Sequence, residues 1–230
     1  RTLKVGYADG SLLKVIPKDG EVREELVSIG VITPEGRELL GGCVVVPIPD
    51  ALSGQWTNLY GRGMRAARHC YLPGPLRGVL NFQAARLSPE VVLAESILDA
   101  LSFHQAGVSI AIPIYGVNGF TPDHLDLLKR EAVKRVILAL DNDDAGRKGT
   151  DALKGKLEAV GITVGALSFP EGIKDANELL VSRNGDAGQV FRQLLDAATP
   201  TTPVPPPSAE PVSMSPLREK DETPPSGLQL

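Results

Sequence analysis

Val91-Val92-Leu93-Ala94-Glu95 with Asp99 close behind it, and Arg135-Val136-Ile137-Leu138-Ala139-Leu140 running into Asp141-Asn142-Asp143-Asp144-Ala145-Gly146, decide the fold of this chain. Each apolar run is short enough for one buried strand, and each stops abruptly in carboxylates. Strands buried on both faces of a parallel sheet read as unbroken apolar runs, and ligands of open α/β sheets gather at the carboxyl ends of the strands. Carboxylates brought together without basic neighbours repel one another and raise each other's pKa. Such a group therefore persists most readily around a divalent cation. The stretch reads as a magnesium site at the carboxyl edge of a parallel sheet.

Working outward, strand and helix alternate from Pro89 to about Ala198. Val91 to Ala94 is a strand, and Ser96 to Gln105 a helix that turns Ile97, Leu98, Leu101 and Phe103 inward and stops at Gly107. Val108 to Tyr115 is a second strand. Thr121-Pro122-Asp123 opens the next helix, because a cap residue and a proline both suit the first turn, whose N–H groups lack helical partners. Arg135 to Leu140, the helix Ala145 to Val160, the strand Ile162 to Phe169, a helix around Asn177 to Val181 and a last one from about Gly188 to Ala197 complete the series. Right-handed crossovers place the helices of such a series on both faces of a parallel sheet.

Residues 1–89 are less regular. Val22 to Ile29 and Pro34 to Leu40 read as short helical pieces, and Cys43 to Pro49 and Gln55 to Tyr60 as strands joined by a turn at Asp50 to Gly54. This is a smaller mixed α/β subdomain. Residues 199–230 are crowded with proline among Ser, Thr and Glu, a composition that buries too little surface to offset the entropy of ordering. They read as a disordered Pro-rich tail. The class is α/β: a basic amino-terminal subdomain at 1–89, a parallel-sheet domain at 90–198, and the tail.

The chain has 230 residues and a net charge of -4, unevenly spread. From Tyr60 to Pro89 the charged side chains are Arg62, Arg65, Arg68, Arg77 and Arg86, with no acid among them, whereas residues 91–197 carry 15 acids against 11 bases. A basic stretch beside an acidic pocket is what a polynucleotide and a metal would each require, although a run of arginines is also simply a solvated face. No apolar stretch approaches the roughly 18 residues that a membrane-spanning helix needs, so no membrane association is expected and the expected location is cytoplasmic. Arg1 rather than Met opens the sequence, which suggests a piece of a longer protein. Cys43 and Cys70 lack metal-site spacing and read as two unlinked thiols, with a disulfide the other reading. His104 and His124 read as structural or solvated. Trp56, Tyr60 and Phe82 could stack on bases but, with so few aromatics in the chain, read as core.

Four motifs together carry a family resemblance. Glu95-Ser96-Ile97-Leu98-Asp99-Ala100-Leu101, Tyr115-Gly116-Val117-Asn118-Gly119, Asp141 to Gly146, and Lys174-Asp175-Ala176-Asn177-Glu178-Leu179 resemble, in order and spacing, the Toprim domain and its primase branch. Upstream, Val5-Gly6-Tyr7-Ala8, Val45 to Asp50, Tyr60-Gly61-Arg62 and Tyr71-Leu72-Pro73-Gly74-Pro75 resemble the amino-terminal part of the bacterial (DnaG-like) primase polymerase core. The resemblance covers most of residues 1–183.

It implies a Toprim-type parallel sheet with flanking helices and a magnesium- or manganese-dependent nucleotidyltransferase that makes short RNA primers on single-stranded DNA during replication. Glu95, Asp141 and Asp143 would be the catalytic and metal-holding acids, Asp175 a further metal ligand, and Asp99 a supporting acid. Arg62 would lie in a basic ridge for template and nucleotide, with Arg65, Arg68 and Lys174 as further contacts for nucleic acid or nucleotide. Single-stranded DNA and ribonucleoside triphosphates are the implied partners, and a replicative helicase a further candidate. Neither a Cys/His zinc module nor a helicase-docking helical domain is recognisable, as expected of a fragment or of a plasmid- or phage-like variant.

Three positions depart from the family pattern. Ser96 stands where Gly usually follows the Glu, and its hydroxyl could bond a phosphate. Ala176 stands where Pro is frequent, and Asn177 where primases often carry Asp, which would weaken the hold on one metal.

The chemistry is consistent with these roles. Joining a nucleotide to a 3′-hydroxyl requires an activated oxygen and neutralised phosphoryl charge, which two magnesium ions about 4 Å apart supply. Asp141 and Asp143, one residue apart, would project to the same side of an extended segment, and Glu95 would hold the other metal or take a proton through water. Taken singly, Glu95, Asp143, Asp144 and Asp175 are also ordinary helix-start or cap residues, Asp99 an exposed helical acid and Lys174 an exposed lysine. Toprim strand cleavage, as in topoisomerases and related nucleases, and a non-catalytic DNA-binding Toprim module are the competing functions.

Overall fold

A computed structural model describes residues 3–65, 68–183 and 185–200. Of the tail expected at residues 199–230, residues 201–230 lie outside them, whereas Thr199–Pro200 form a short strand.

The amino-terminal half builds an antiparallel sheet in the order β1-β2-β3-β4, with β1 at Gly6–Ala8, β2 at Cys43–Pro49, β3 at Trp56–Gly63 and β4 at His69–Tyr71. The expected turn joins β2 to β3. Asp50 Oδ1 accepts the amides of Leu52 at 3.0 Å and Ser53 at 2.7 Å, and Gly54 takes a φ of 71°, open at little cost only to residues without a Cβ. Between β1 and β2 lie two short helices, α1 (Leu12–Val15) and α2 (Glu21–Ser28), the second where it was expected. Pro34 to Leu40 is not helical. Gly36 at φ 75° reverses the chain, Thr33 N donates to Arg37 O at 2.8 Å, and Ile32 bridges Glu38.

Next come α3 (Gln83–Leu87), β5 (Glu90–Ala94), α4 (Ile97–Gln105), β6 (Ala111–Pro113), α5 (Pro122–Arg130) and β7 (Arg135–Ala139). The series ends with α6 (Asp144–Glu158), β8 (Thr163–Ala166), α7 (Ala176–Ser182), α8 (Ala187–Ala197) and the two-residue β9 (Thr199–Pro200). The second sheet has the order β6-β5-β7-β8-β9; its first four strands are parallel and β9 joins β8 antiparallel. The strand β6 is shorter than its apolar run: Ile114 N still donates to Ala94 O at 2.9 Å, and Tyr115, at φ 65°, then turns the chain away into Gly116.

Side chains of a strand alternate between faces, and the core divides accordingly. Val91, Leu93, Val136 and Leu138 pack with Leu127 and Leu128 of α5 and Leu153 and Leu157 of α6. Val92, Ala94, Ile137 and Ala139 pack on the other face with Ala100 and Phe103 of α4, Leu179 of α7 and Phe191 of α8. On α4, Ile97 and Phe103 are buried as expected, but Leu98 and Leu101 are only half-buried; Ala100 and Ser102 take the inner positions.

The two sheets meet over a small apolar cluster of Val46, Ile48, Tyr60, Leu80, Ile97 and Tyr115. The segment before α3 ties them by hydrogen bonds. Gly78 N donates to Asp123 Oδ2 at 2.7 Å, Val79 N to Pro49 O at 2.9 Å and Leu80 N to the Tyr115 hydroxyl at 2.9 Å, which itself donates to Gly78 O at 3.2 Å. His124 completes the arrangement from beneath. It is buried with Nε2 3.0 Å from Pro113 O, while Nδ1 accepts from Thr121 N at 3.2 Å, so the ring is neutral with its proton on Nε2. Desolvation pushes its pKa down to about 4. No helix among the described residues is long and apolar enough to cross a membrane, and both cysteines are free.

Gly78 cannot be replaced without strain. Its φ is +83°, and a Cβ would stand 2.4 Å from Thr57 Oγ1 and 2.5 Å from Pro49 O. Gly78→Ala is expected to destabilise the protein by about 1–3 kcal/mol, read as a lowered urea midpoint with an unchanged slope.

Candidate metal centre and nucleic-acid interface

The parallel register sets Ala94 of β5 beside Ala139 of β7, so Glu95 and the Asp141 segment leave the sheet side by side. Glu95 Oε2 accepts the Asp141 amide at 3.0 Å, which fixes one carboxylate oxygen and leaves the other uncommitted in that bond. The loop after Asp141 is compact because Gly146 lies against it: a Cβ there would be 2.0 Å from Asp141 O. Glu95 O accepts from Gly116 N at 2.8 Å, so the Tyr115 to Gly119 motif braces the strand end and makes no polar side-chain contribution to it.

Asp143 caps α6, its Oδ1 accepting from Gly146 N at 2.9 Å, and Asp175 caps α7, its Oδ1 accepting from Glu178 N at 2.7 Å. Capping occupies one oxygen of each carboxylate. Cap and site roles are therefore compatible, and the positive ends of α6 and α7 offset part of the acidic charge.

Lys174 lies among the acids. Its Nζ is 2.9 Å from Asp141 Oδ2 and 3.6 Å from Asp143 Oδ2. Its backbone is held by the same loop, with Asn142 N donating to Lys174 O at 2.7 Å and Lys174 N donating to Glu178 Oε2 at 2.6 Å. Burial raises the pKa of Asp141 and of Glu95, and the neighbouring carboxylates push both in the same direction. Asp143 goes the other way, held low first by the Gly146 amide.

Asp99 is not exposed. It is 4% accessible and ties two helices together. Ser96 and Asp99 form a reciprocal capping box at the start of α4, with Ser96 Oγ donating to Asp99 Oδ2 at 2.6 Å and accepting from Asp99 N at 3.2 Å. The other oxygen of Asp99 accepts from Asn177 N at 3.2 Å. Burial pushes its pKa up to about 6, aided by the charges of Asp175 and Asp141 and opposed by the Ser96 hydroxyl. The Ser96 hydroxyl is thus committed to the cap, which corrects the expectation of a phosphate contact. Asn177 turns its amide to Ser102 Oγ at 3.1 Å, toward α4. A second carboxylate there would face the hydroxyl beside buried Asp99. The Ser-x-x-Asp spacing was the overlooked sequence signal.

Among the described residues, no three His, Cys, Asp or Glu side chains are gathered tightly enough to cage an ion as they stand. The pair Asp141 and Asp143 nevertheless fits a hard cation. Both present oxygen donors, and an ammonium already stands between them.

The basic run divides by partner. Arg68 donates to Leu39 O at 3.1 Å and Gly41 O at 3.2 Å and touches Cys43 Sγ, so its guanidinium pins the hairpin. Arg77 pairs with Asp123 at 3.0 Å and Arg86 with Glu131 at 3.3 Å. Arg62 meets His69 Nε2, and His69 Nδ1 lies 2.9 Å from the Tyr60 hydroxyl. Arg65 is exposed without an ion-pair partner among the described residues, and with Arg68, Tyr7, Asp9 and Gly63 it lines an open cleft of about 430 Å³. Tyr60 and Phe82 are core, whereas Trp56 is 53% exposed with Lys4 Nζ 5.3 Å from its ring centre, which corrects its assignment to the core.

Comparison with known proteins gives concordant results. Residues 92–180 match the Toprim-like family model. A DNA primase of Myxococcus xanthus is 30% identical over 184 residues, 76% of this chain and 27% of that protein. A DNA primase of Deinococcus radiodurans is 31% identical over 204 residues, 80% of this chain and 35% of that protein. The chain thus spans about a third or less of the length of these relatives. Among solved structures, a DnaG primase catalytic domain bound to single-stranded DNA superposes with a TM-score of 0.69 at 24% identity, covering 86% of this chain and 66% of that one. Residues 92–180, which include Glu95, Asp141, Asp143 and Asp175, thus form a Toprim-like domain, the chain has the fold of the DnaG catalytic core, and over most of its length it is similar to bacterial DNA primases.

Proposed function

We propose that this chain is the catalytic core of a bacterial-type DNA primase that joins ribonucleotides into short RNA primers on single-stranded DNA. The observation that carries the reading is that Glu95 holds the Asp141 amide at the same sheet edge where an ammonium lies between Asp141 and Asp143, in a chain homologous to primases. Single-stranded DNA bound to a DnaG catalytic domain of the same fold supports the template assignment. In this reading the protein works in the cytoplasm, with ribonucleoside triphosphates as substrates and a replicative helicase as partner.

Asp141 Oδ2 and Asp143 Oδ2 would hold magnesium or manganese, with Asp175 and the second oxygen of Glu95 completing the donor set. When bound, such an ion neutralises phosphoryl charge and lowers the pKa of the attacking 3′-hydroxyl. Glu95 is suited to accept the hydroxyl proton through a water, because burial raises its pKa while the Asp141 amide keeps the side chain oriented. Asp99 acts through others: it fixes α4 against α7 and so places Asp175. Arg65 supplies a phosphate contact in the open cleft and Arg62 a second, its direction set by His69.

The test is primer synthesis from labelled ribonucleotides on single-stranded DNA with magnesium. Asp141→Ala and Asp143→Ala are each expected to abolish synthesis while retaining DNA binding; wild-type rates in either variant refute the roles. Cleavage of labelled DNA without synthesis would select strand scission instead. Arg65→Ala is expected to weaken DNA binding and to lower the slope of log affinity against log salt by about one. Arg68→Ala, by contrast, is expected to lower the denaturant midpoint through loss of the bonds to Leu39 and Gly41.

A further inference from the structure

We infer that Lys174 is a displaceable counter-ion: its ammonium fills the divalent-cation position between Asp141 and Asp143 in the metal-free protein, and leaves it for a nucleotide phosphate when the metal enters. The inference rests on the primase reading for the identity of the phosphate, and on geometry for the rest. Nζ lies 2.9 Å and 3.6 Å from one oxygen of each aspartate, the place where a shared ion would be held. The Asp141 side chain is 14% accessible, so an uncompensated charge there would be costly, whereas the Lys174 side chain is 55% accessible and free to swing on its four-carbon stem.

What cannot move is the lysine backbone. Asn142 N holds Lys174 O, Asn142 Nδ2 reaches Ile173 O at 3.4 Å, and Glu178 Oε2 holds Lys174 N. The residue is anchored beside the acids while its charge is mobile. An ammonium and a divalent ion cannot share two carboxylates without strong repulsion. The incoming metal must therefore displace it toward solvent, the side from which a substrate arrives. There the freed ammonium meets triphosphate oxygens, so metal and nucleotide bind cooperatively through one side chain.

The experiment is titration of the full chain with Mn²⁺, following free Mn²⁺ by electron paramagnetic resonance, with and without a non-hydrolysable ribonucleoside triphosphate. Lys174→Met and Lys174→Gln are expected to bind Mn²⁺ alone at least about threefold more tightly than wild type, the equivalent of one partly exposed charge pair. Added nucleotide should strengthen Mn²⁺ binding less in these variants than in wild type, while Lys174→Arg stays close to wild type. A variant that melts without metal is expected to refold with Mn²⁺, since the ion then replaces the ammonium. Unchanged or weaker Mn²⁺ binding in both neutral variants, or failure to refold at saturating Mn²⁺, overturns the inference. Absence of primer synthesis in the wild type would sink the primase reading and leave the Mn²⁺ titration without nucleotide interpretable.

Discussion

Parallel strands that end in carboxylates impose a constraint that the surrounding structure answers. Glu95 and Asp141 leave adjacent strands in register, and their charges would drive the strand ends apart without compensation. Three sources supply it. The amide of Asp141 binds Glu95, the amino ends of α6 and α7 face Asp143 and Asp175, and the Lys174 ammonium spans Asp141 and Asp143. Each leaves a carboxylate oxygen or an exposed ammonium at the sheet edge.

A second layer holds this edge in shape. Buried Asp99 joins α4 to α7 through Ser96 and Asn177, and Gly146 lets α6 start in contact with the Asp141 carbonyl. The amino-terminal sheet is joined to the other through Tyr115, whose ring packs among Val46, Ile48 and Tyr60 and whose hydroxyl serves the Gly78 segment. The left-handed conformation of Tyr115 turns the chain from β6 into the glycine motif that braces Glu95. Sheet junction and acidic edge are thus tied to the same short segment.

The parts of this molecule that were legible in the sequence are those with a local cause. Unbroken apolar runs mark β5 and β7, a cap followed by proline marks α5, and the acids stand at the strand ends where they were expected. The shorter β6, the turn at Gly36 and the strand β1 were misjudged or missed, because propensity yields to a positive φ or to a pairing partner distant in sequence. The basic run was legible as charge and illegible as function. Arg68 and Arg65 look alike in sequence, yet one is spent on carbonyls from the preceding loop and the other faces an open cleft.

By itself, the sequence determined the α/β alternation, the acidic strand ends and their family likeness, since each is written in residue spacing and in the chemistry of single side chains. Only the tertiary structure decided that Lys174 lies between Asp141 and Asp143, that the Ser96 hydroxyl belongs to Asp99, and that Asn177 turns toward Ser102. The site assignments depend on parallel register and on the packing of α4 against α7. Those long-range arrangements set which charges meet, and through that meeting their pKa values and their freedom to move.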